Sequence, residues 1–196
     1  MNTTVNYKQL LHAMKKAEKT RAKVGYTGNP LSNVSMKFKG RFIEFCTTDG
    51  NYLCLTKIES EKQIDNIELQ FEPTQVLNWL KGLGKVMGNI EIEYETGLKF
   101  KYCGSELFVM LANTNYPKYE QLISNYNINN DFRKIGRSKN VQKVCVKTKY
   151  LKNILDTIDS DKIEIKFNRD NNLVALELAN YENDNEYAML MPIQTR

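Results

Sequence analysis

Residues 89–94 are Asn89-Ile90-Glu91-Ile92-Glu93-Tyr94, and residues 162–167 are Lys162-Ile163-Glu164-Ile165-Lys166-Phe167. Both stretches alternate apolar and polar residues, and this period of two predicts a strand with one buried face. Each stretch follows an amphipathic helical segment and precedes two more strand-like runs. A unit that recurs along a chain indicates the architecture more strongly than any single motif does.

The repeat that contains residues 89–94 begins with a strand at Ile67–Phe71 and a short helix. Pro73 opens that helix, because its preset φ and missing N–H suit the first helical turn. Glycines that begin at Gly82 end it. Three strands are predicted to follow, at Ile90–Tyr94, Leu98–Cys103 and Glu106–Leu111.

The repeat that contains residues 162–167 has the same order of elements. A strand at Val144–Lys147 precedes an amphipathic helix at Thr148–Ile158. The strands predicted after this helix are Lys162–Phe167, Leu173–Leu178 and Tyr187–Met191.

The N-terminal region gives the order once more. Residues 6–23 place Leu10, Met14 and Ala17 on one side of a helix. Glycine accepts the positive φ of tight turns, so hairpins are predicted at Lys39-Gly40 and Asp49-Gly50. The strands that these turns would connect are Asn33–Lys39, Arg41–Thr47 and Tyr52–Ile58.

The predicted fold class is therefore α+β, with three β-α-β-β-β modules whose helices lie on one face of antiparallel sheets. One such module cannot bury both of its apolar faces, so two modules make a natural domain. We expect a complete domain at residues 1–124, an Asn-rich connector at 125–140 and a half-domain of one module at 141–196. The third module has no partner module in the chain.

Composition narrows the function. The 196 residues are 41% apolar and 26% charged, as in a soluble globular protein. The four cysteines lack CxxC spacing and are predicted to be buried thiols, and there is one histidine. We therefore predict no metal, no cofactor and no catalytic residue. The N-terminus resembles no signal peptide, and no apolar run is long enough to cross a membrane, so a cytoplasmic protein with no membrane partner is expected.

Several segments occur in an order that a known family shares. Residues 45–53 contain Thr47-Thr48-Asp49-Gly50, which resembles the family's A-T-D-G-H-R-L, and residues 116–122 resemble its F-P-D-Y-x-x-V/L. Residues 187–193 resemble its terminal Y-V-V-M-P-M-R-L. The family is the bacterial sliding clamp, the β subunit of DNA polymerase III. The resemblance implies a ring-forming clamp fold whose inner helices face duplex DNA.

The chain also departs from the family. It resembles about one and a half clamp domains, without a first domain or the first half of a last domain. We therefore expect a version encoded by a phage or a mobile element. Asn51-Tyr52 replaces the His-Arg of the family motif, and the chain ends in Gln194-Thr195-Arg196 where the family ends in Arg-Leu.

The resemblance implies an apolar groove that captures short peptides of polymerases and clamp loaders. Met, Leu, Pro and Tyr side chains make a deformable cleft suited to apolar peptide anchors. The same segments can also be explained as a plain hairpin turn and an edge strand. The residues carried over to the groove are Thr48, Gly50, Asn51, Tyr52, Leu53, Pro117, Leu122, Tyr150, Met189, Leu190, Met191, Pro192 and Ile193.

A basic stripe on the first helix is the second candidate surface. Lys8, His12, Lys15 and Lys19 follow one another at helical spacing, with Glu18 as the one carboxylate in residues 6–23. A solvated helix face explains such a stripe as well. Clamps use such helices to hold the phosphate backbone without reading bases. The predicted DNA-binding residues are Lys8, Lys15, Lys16, Lys19, Lys23, Lys81, Lys85, Lys149 and Lys152.

The sequence thus predicts a non-enzymatic processivity factor that is similar to a sliding clamp. It would hold duplex DNA non-specifically and tether a DNA polymerase or clamp loader through the groove. The alternative is a clamp-mimic adaptor or decoy that binds clamp-binding peptides or a host clamp without encircling DNA, and it would not need the lysine stripe. An open edge on the third module also predicts a homo-oligomer, either a dimer or a ring of two dimers.

Overall fold

The computed structural model describes residues 1–23, 29–121, 146–167, 176–183 and 185–191. The chain forms two compact units, Met1–Tyr116 and Pro117–Arg196. The connector predicted at residues 125–140 lies outside the described residues, so the predicted domain boundaries stay predictions.

A long antiparallel hairpin organises the first unit. Its strands are β2 (Val34–Thr48) and β3 (Tyr52–Phe71). They are joined by a tight turn in which Gly50 has a φ of +91°. The hairpin predicted at Asp49-Gly50 is confirmed. Glycine suits this turn because a positive φ is accessible to it at little cost.

The turn predicted at Lys39-Gly40 is wrong. Both residues lie inside β2, and the φ of +62° at Gly40 serves a bulge instead. Gly40 pairs with Ile64, whereas Phe42 pairs with Glu59. Residues 60–63 therefore protrude from β3 and bend the hairpin. The strands that the sequence predicts on either side of this bend are therefore parts of two continuous strands, β2 and β3.

The described residues of this unit also form a four-stranded antiparallel sheet, and its strand order is β1-β4-β5-β6. The first strand, β1, precedes the first helix, and no sequence pattern assigned it. Val5 of β1 pairs with Ile90, and Thr3 pairs with Ile92. The four strands are β1 (Asn2–Asn6), β4 (Asn89–Tyr94), β5 (Leu98–Tyr102) and β6 (Ser105–Val109).

Two neighbouring helices, α1 (Tyr7–Thr20) and α2 (Pro73–Gly82), run antiparallel. At one end the Tyr7 hydroxyl donates to the Leu80 carbonyl, 3.1 Å away. At the other end the Arg21 guanidinium donates to the Thr74 hydroxyl at 2.9 Å. A 3-10 turn at Pro30–Ser32 follows α1.

The apolar core of the first unit lies between these helices and the strands. Leu10 and Met14 of α1 are completely buried. The Phe71 and Phe100 rings meet edge to face with centroids 6.2 Å apart. The Trp79 ring of α2 packs on the Phe100 ring with centroids 6.4 Å apart, and the indole N–H of Trp79 donates to the Ser105 hydroxyl at 3.0 Å. Each fully buried side chain of this size stabilises the fold by roughly 1.5–3 kcal/mol.

The described residues of the second unit contain a helical turn at 119–121, a longer helix and an antiparallel meander. The helix α3 spans Thr148–Leu155, and β7 (Ile163–Phe167), β8 (Leu176–Asn180) and β9 (Glu186–Leu190) follow in that order. The predicted α+β class with antiparallel sheets is confirmed. The strand predicted at 144–147 is not formed at residues 146 and 147, and its first half lies outside the described residues.

The cysteines differ from one another in exposure. Cys46 and Cys54 are buried, as predicted, but Cys103 is exposed, so the prediction is wrong there. Cys103 lies in the two-residue turn between β5 and β6, where it has a φ of +45° next to Gly104 at +81°. The alternating pattern ends at this turn, so the thiol has no apolar face to join. Cys145 lies outside the described residues.

Replacing Cys103 by glycine is expected to raise the free energy of unfolding by about 1 kcal/mol, because the left-handed conformation is costly for a residue with a Cβ. Cys103→Ser is the control, since it keeps the Cβ and is expected to give no gain. Urea unfolding followed by circular dichroism measures both variants. Equal stability of the two variants would contradict the assigned strain.

Candidate functional site

The exposed face of α1 carries lysines. The Asn6 side chain caps the helix, with its oxygen accepting from the N–H groups of Lys8 at 2.9 Å and Gln9 at 3.3 Å. Because α1 buries the opposite face, Lys8, Lys15 and Lys19 are exposed together. Lys23 is also exposed, just beyond the helix, whereas His12 is half-buried.

Lys16 does not join this surface. Lys16 is only 6% exposed, because it lies on the side of α1 that faces the core, next to the buried Thr20. The sequence grouped Lys16 with its neighbours on charge alone. It is a poor candidate for phosphate contact and is left out of the exposed lysines of the first unit, which we call the lysine face: Lys8, Lys15, Lys19, Lys23, Lys81 and Lys85. The second unit has its own exposed lysines on α3, Lys149 and Lys152.

The one carboxylate of α1 is engaged by an arginine that the sequence did not single out. Arg21 holds Glu18 through two hydrogen bonds of 2.9 Å, and it also donates to Thr74 of α2. The Arg21 Nη2 atom and the Glu72 Oε1 atom are 3.4 Å apart. This network joins the C-terminal end of α1 to the start of α2 and neutralises Glu18 locally.

The other helices add lysines and no acidic residue. Lys81 is exposed in the last turn of α2, and Lys85 is exposed in the loop after it. Lys149 and Lys152 are exposed on α3 in the second unit. The sequences of α2 and α3 contain no Asp or Glu. Each unit therefore presents a helix surface that attracts anions.

The Thr48–Tyr52 turn is held by its own side chains. The Thr48 hydroxyl donates to the Tyr52 carbonyl at 2.6 Å and accepts from the Gly50 N–H at 3.0 Å. The Asp49 carboxylate accepts from the N–H groups of Asn51 at 2.8 Å and Tyr52 at 3.3 Å. Thr48 and Asp49 thus build the turn, and Asn51 is the exposed side chain at its tip.

The segment that resembles F-P-D-Y begins with an anchored tyrosine. The buried Tyr116 hydroxyl donates to the Cys46 carbonyl at 3.0 Å. Burial raises the pKa of the Tyr116 phenol well above its usual range, and the neighbouring Cys46 thiol adds to the increase in pKa. The hydroxyl therefore stays protonated and keeps its donor role. Pro117, which follows, is exposed.

Besides Pro117, two predicted groove residues of the second unit retain accessible surface. Tyr150 is half-buried on α3, with the Lys147 ammonium 5.3 Å from its ring centroid. Met191 is half-buried just after β9, whereas Met189 and Leu190 are buried within that strand.

The predicted groove residues therefore divide into three sets. Gly50, Asn51, Pro117, Tyr150 and Met191 offer surface to a ligand. The side chains that are buried are Thr48, Tyr52, Leu53, Met189 and Leu190. Those that lie outside the described residues are Leu122, Pro192 and Ile193.

The part of the chain that the structure describes contains no set of side chains arranged to bind a metal ion. No group of three or more His, Cys, Asp or Glu side chains is placed there to hold an ion. Among the same residues, no helix combines the length and apolarity needed to cross a membrane.

Comparisons with known proteins give a fold but no family by sequence. No protein-family model matches the chain, and no curated protein matches it. Solved structures do match. The DNA polymerase III β subunit of Thermotoga maritima is similar with a TM-score of 0.77 and 14% identity, over 100% of this chain and 66% of that one.

Other solved clamps agree. The DNA polymerase sliding clamp of Bacillus subtilis gives a TM-score of 0.77 at 13% identity, over 100% of this chain and 65% of its own. The DNA polymerase III β subunit of Borrelia burgdorferi gives 0.75 at 15%, with the same coverages. The chain has the sliding-clamp fold, as its sequence predicted, and it spans about two thirds of the length of the clamps that it matches.

The hydrogen bonds in the Thr48–Tyr52 turn predict a structural role for Thr48. Thr48→Val keeps the shape but removes the donor to Tyr52 and the acceptor for Gly50, so it is expected to lower the free energy of unfolding by about 1–3 kcal/mol. Asn51→Ala is the matched control at the tip of the turn and is expected to change that energy by less than about 0.5 kcal/mol. Chemical denaturation of both variants measures the difference. A Thr48→Val variant as stable as the wild type would contradict this role.

Proposed function

We propose that this protein is a processivity factor similar to a sliding clamp, which holds duplex DNA non-specifically and tethers replication proteins. The observation that carries the proposal is the lysine face. The helices α1, α2 and α3 expose lysines, and their single carboxylate, Glu18, is held by Arg21.

Such a surface suits a polyanion of uniform spacing. Lysine ammonium groups are flexible point charges, so they follow phosphates without requiring one orientation. Phosphate contacts carry no sequence information directly, and a protein held by them alone can slide. The mechanism is electrostatic and topological, and it uses no cofactor and no catalytic residue.

The tethering surface would use the accessible groove residues. Asn51 in the first unit and Pro117, Tyr150 and Met191 in the second unit are the predicted groove residues whose side chains are accessible. The proposed partners are short motifs of a DNA polymerase or a clamp loader. Short peptides must offset their own ordering with a few apolar anchors, so the affinity is expected to be in the micromolar range.

Encircling DNA requires more helices than one chain supplies. The proposal therefore includes self-association into a dimer or a larger closed assembly. In the second unit Leu155 is 40% exposed and Ile165 is 46% exposed, although both continue its apolar pattern. Exposed apolar surface beside a strand edge is typical of an association site.

Duplex binding is expected to be indifferent to sequence and steeply dependent on salt, with each phosphate contact contributing about 0.9 to the log–log slope. Reversing Lys8, Lys15 and Lys19 to Glu is expected to weaken binding to every duplex alike and to flatten that slope. Fluorescence anisotropy over a salt series measures both effects.

The control for this variant reverses Lys62, Lys99 and Lys118 to Glu, which changes the net charge equally but leaves the helices intact. The control is expected to retain most of the affinity. An equal loss of affinity in both variants would mean that the change in net charge alone explains the effect. Binding insensitive to salt, or no binding, would favour the clamp-mimic adaptor over the processivity factor.

A peptide of the QLxLF type is expected to bind with a dissociation constant in the micromolar range. Combining Tyr150→Ala with Met191→Ala is expected to abolish binding, because it removes the two partly accessible apolar side chains of the proposed groove in α3 and after β9. Leu155→Ala, which removes exposed apolar surface from the same helix, is the control and is expected to bind normally. Titration calorimetry measures all three proteins, and an unresponsive wild type at high micromolar peptide would refute tethering.

A further inference from the structure

Glu18 of α1 has a basic residue three positions away on each side. Lys15 precedes it and Arg21 follows it, and residues three apart along a helix are close enough to pair. The carboxylate pairs with Arg21, whose Nε and Nη2 atoms each donate to it at 2.9 Å. Lys15 remains exposed on the lysine face. Two cations thus lie within reach of one carboxylate, and Arg21 is the one that binds it.

The local structure explains why Arg21 is preferred to Lys15. The planar guanidinium matches both carboxylate oxygens at once, which a lysine ammonium does not do. An acidic residue that precedes its basic partner along a helix is also the more favourable order. In addition, the Thr74 hydroxyl at the start of α2 donates to the Glu18 carboxylate at 2.9 Å. Glu18 is therefore held on the side of α1 that faces α2.

Arg21 itself is not placed to contact a phosphate. Its side chain is only 8% exposed. Besides Glu18, its guanidinium donates to the Ser32 carbonyl at 3.1 Å and to the Thr74 hydroxyl at 2.9 Å. A cation that is buried and hydrogen-bonded in several directions has little left to offer to a ligand. Any effect of Arg21 on DNA binding must therefore act through another residue.

We propose that Arg21 is a positioning residue for the lysine face, which keeps the Glu18 carboxylate away from Lys15 and so leaves Lys15 able to contact a phosphate. The inference rests on the proposed function and adds to it a residue that charge patterning does not single out. Without Arg21, an uncompensated carboxylate would lie beside Lys15. It would attract the ammonium and repel the phosphate, and one phosphate contact would be lost.

Fluorescence anisotropy with a DNA duplex over a salt series tests the inference. Arg21→Ala is expected to weaken binding by roughly fivefold to tenfold at 0.1 M salt and to lower the log–log slope by about 0.9, the contribution of one phosphate contact. Adding Glu18→Gln to Arg21→Ala is expected to restore both the affinity and the slope, because no carboxylate then lies beside Lys15. A purely structural role of Arg21 would not be rescued by this second change.

The matched control adds Glu72→Gln to Arg21→Ala. This pair of changes gives the same net charge as the rescue, and Glu72 also lies next to Arg21, with 3.4 Å between Oε1 and Nη2. Glu72 precedes α2 and is not on α1 beside Lys15, so the control is expected to keep the weakened binding. In a Lys15→Ala background, Arg21→Ala is expected to cause no further loss of slope.

Urea unfolding verifies that each variant is folded. Arg21→Gln is the second variant, because it removes the charge but keeps a donor for Ser32 and Thr74, and it is expected to lose the same slope. Four results would overturn the inference: wild-type binding in both Arg21 variants, no rescue by Glu18→Gln, equal rescue by Glu72→Gln, or a full further loss of slope in the Lys15→Ala background. A wild type that does not bind duplex would overturn the proposed function as well, so the two failures are distinguishable.

Discussion

The bend in the β2–β3 hairpin is the constraint on which the first unit depends. Where residues 60–63 leave the ladder, the buried Thr3 hydroxyl is 2.8 Å from the Ser60 hydroxyl and accepts from the Lys62 N–H at 3.2 Å. These bonds fasten β1 to the bend, and α1 begins directly after β1 at Tyr7. The orientation of α1, which carries the lysines, therefore depends on a bulge in β3, a strand that comes much later in the sequence.

The electrostatic character of the protein is local. A net charge of +5 on 196 residues is a mild excess that indicates little by itself. What matters is that α1 contains a single carboxylate and α2 and α3 contain none, while all three helices carry lysines. Arg21 strengthens this separation, because it neutralises Glu18 and at the same time joins α1 to α2. A structural ion pair thus preserves the basic surface without adding to it.

Periodicity predicted α1, α2, α3 and most of the strands, because the alternating and helical patterns are strong in those segments. It misjudged Gly40, since a positive φ serves a bulge as well as a turn. It missed β1, whose Asn-Thr-Thr-Val-Asn sequence has a single strongly apolar residue.

The candidate site was harder to predict than the fold. The burial of Lys16 depends on how α1 is rotated against its neighbours, and spacing alone does not give that rotation. Met189 and Leu190 are both buried within β9, so fewer of the predicted groove residues are accessible than the motif contains. The role of Arg21 depends on Thr74, which is far away in sequence.

The position of Trp79 has a consequence for how the two units can be observed. It is the only tryptophan in the chain, and it lies against Phe100 and Ser105 in the first unit. Its emission therefore reports on the environment of the first unit, while backbone circular dichroism averages over both. If the second unit melts separately, the two signals will have different midpoints, and their separation reveals how cooperatively the second unit folds with the first.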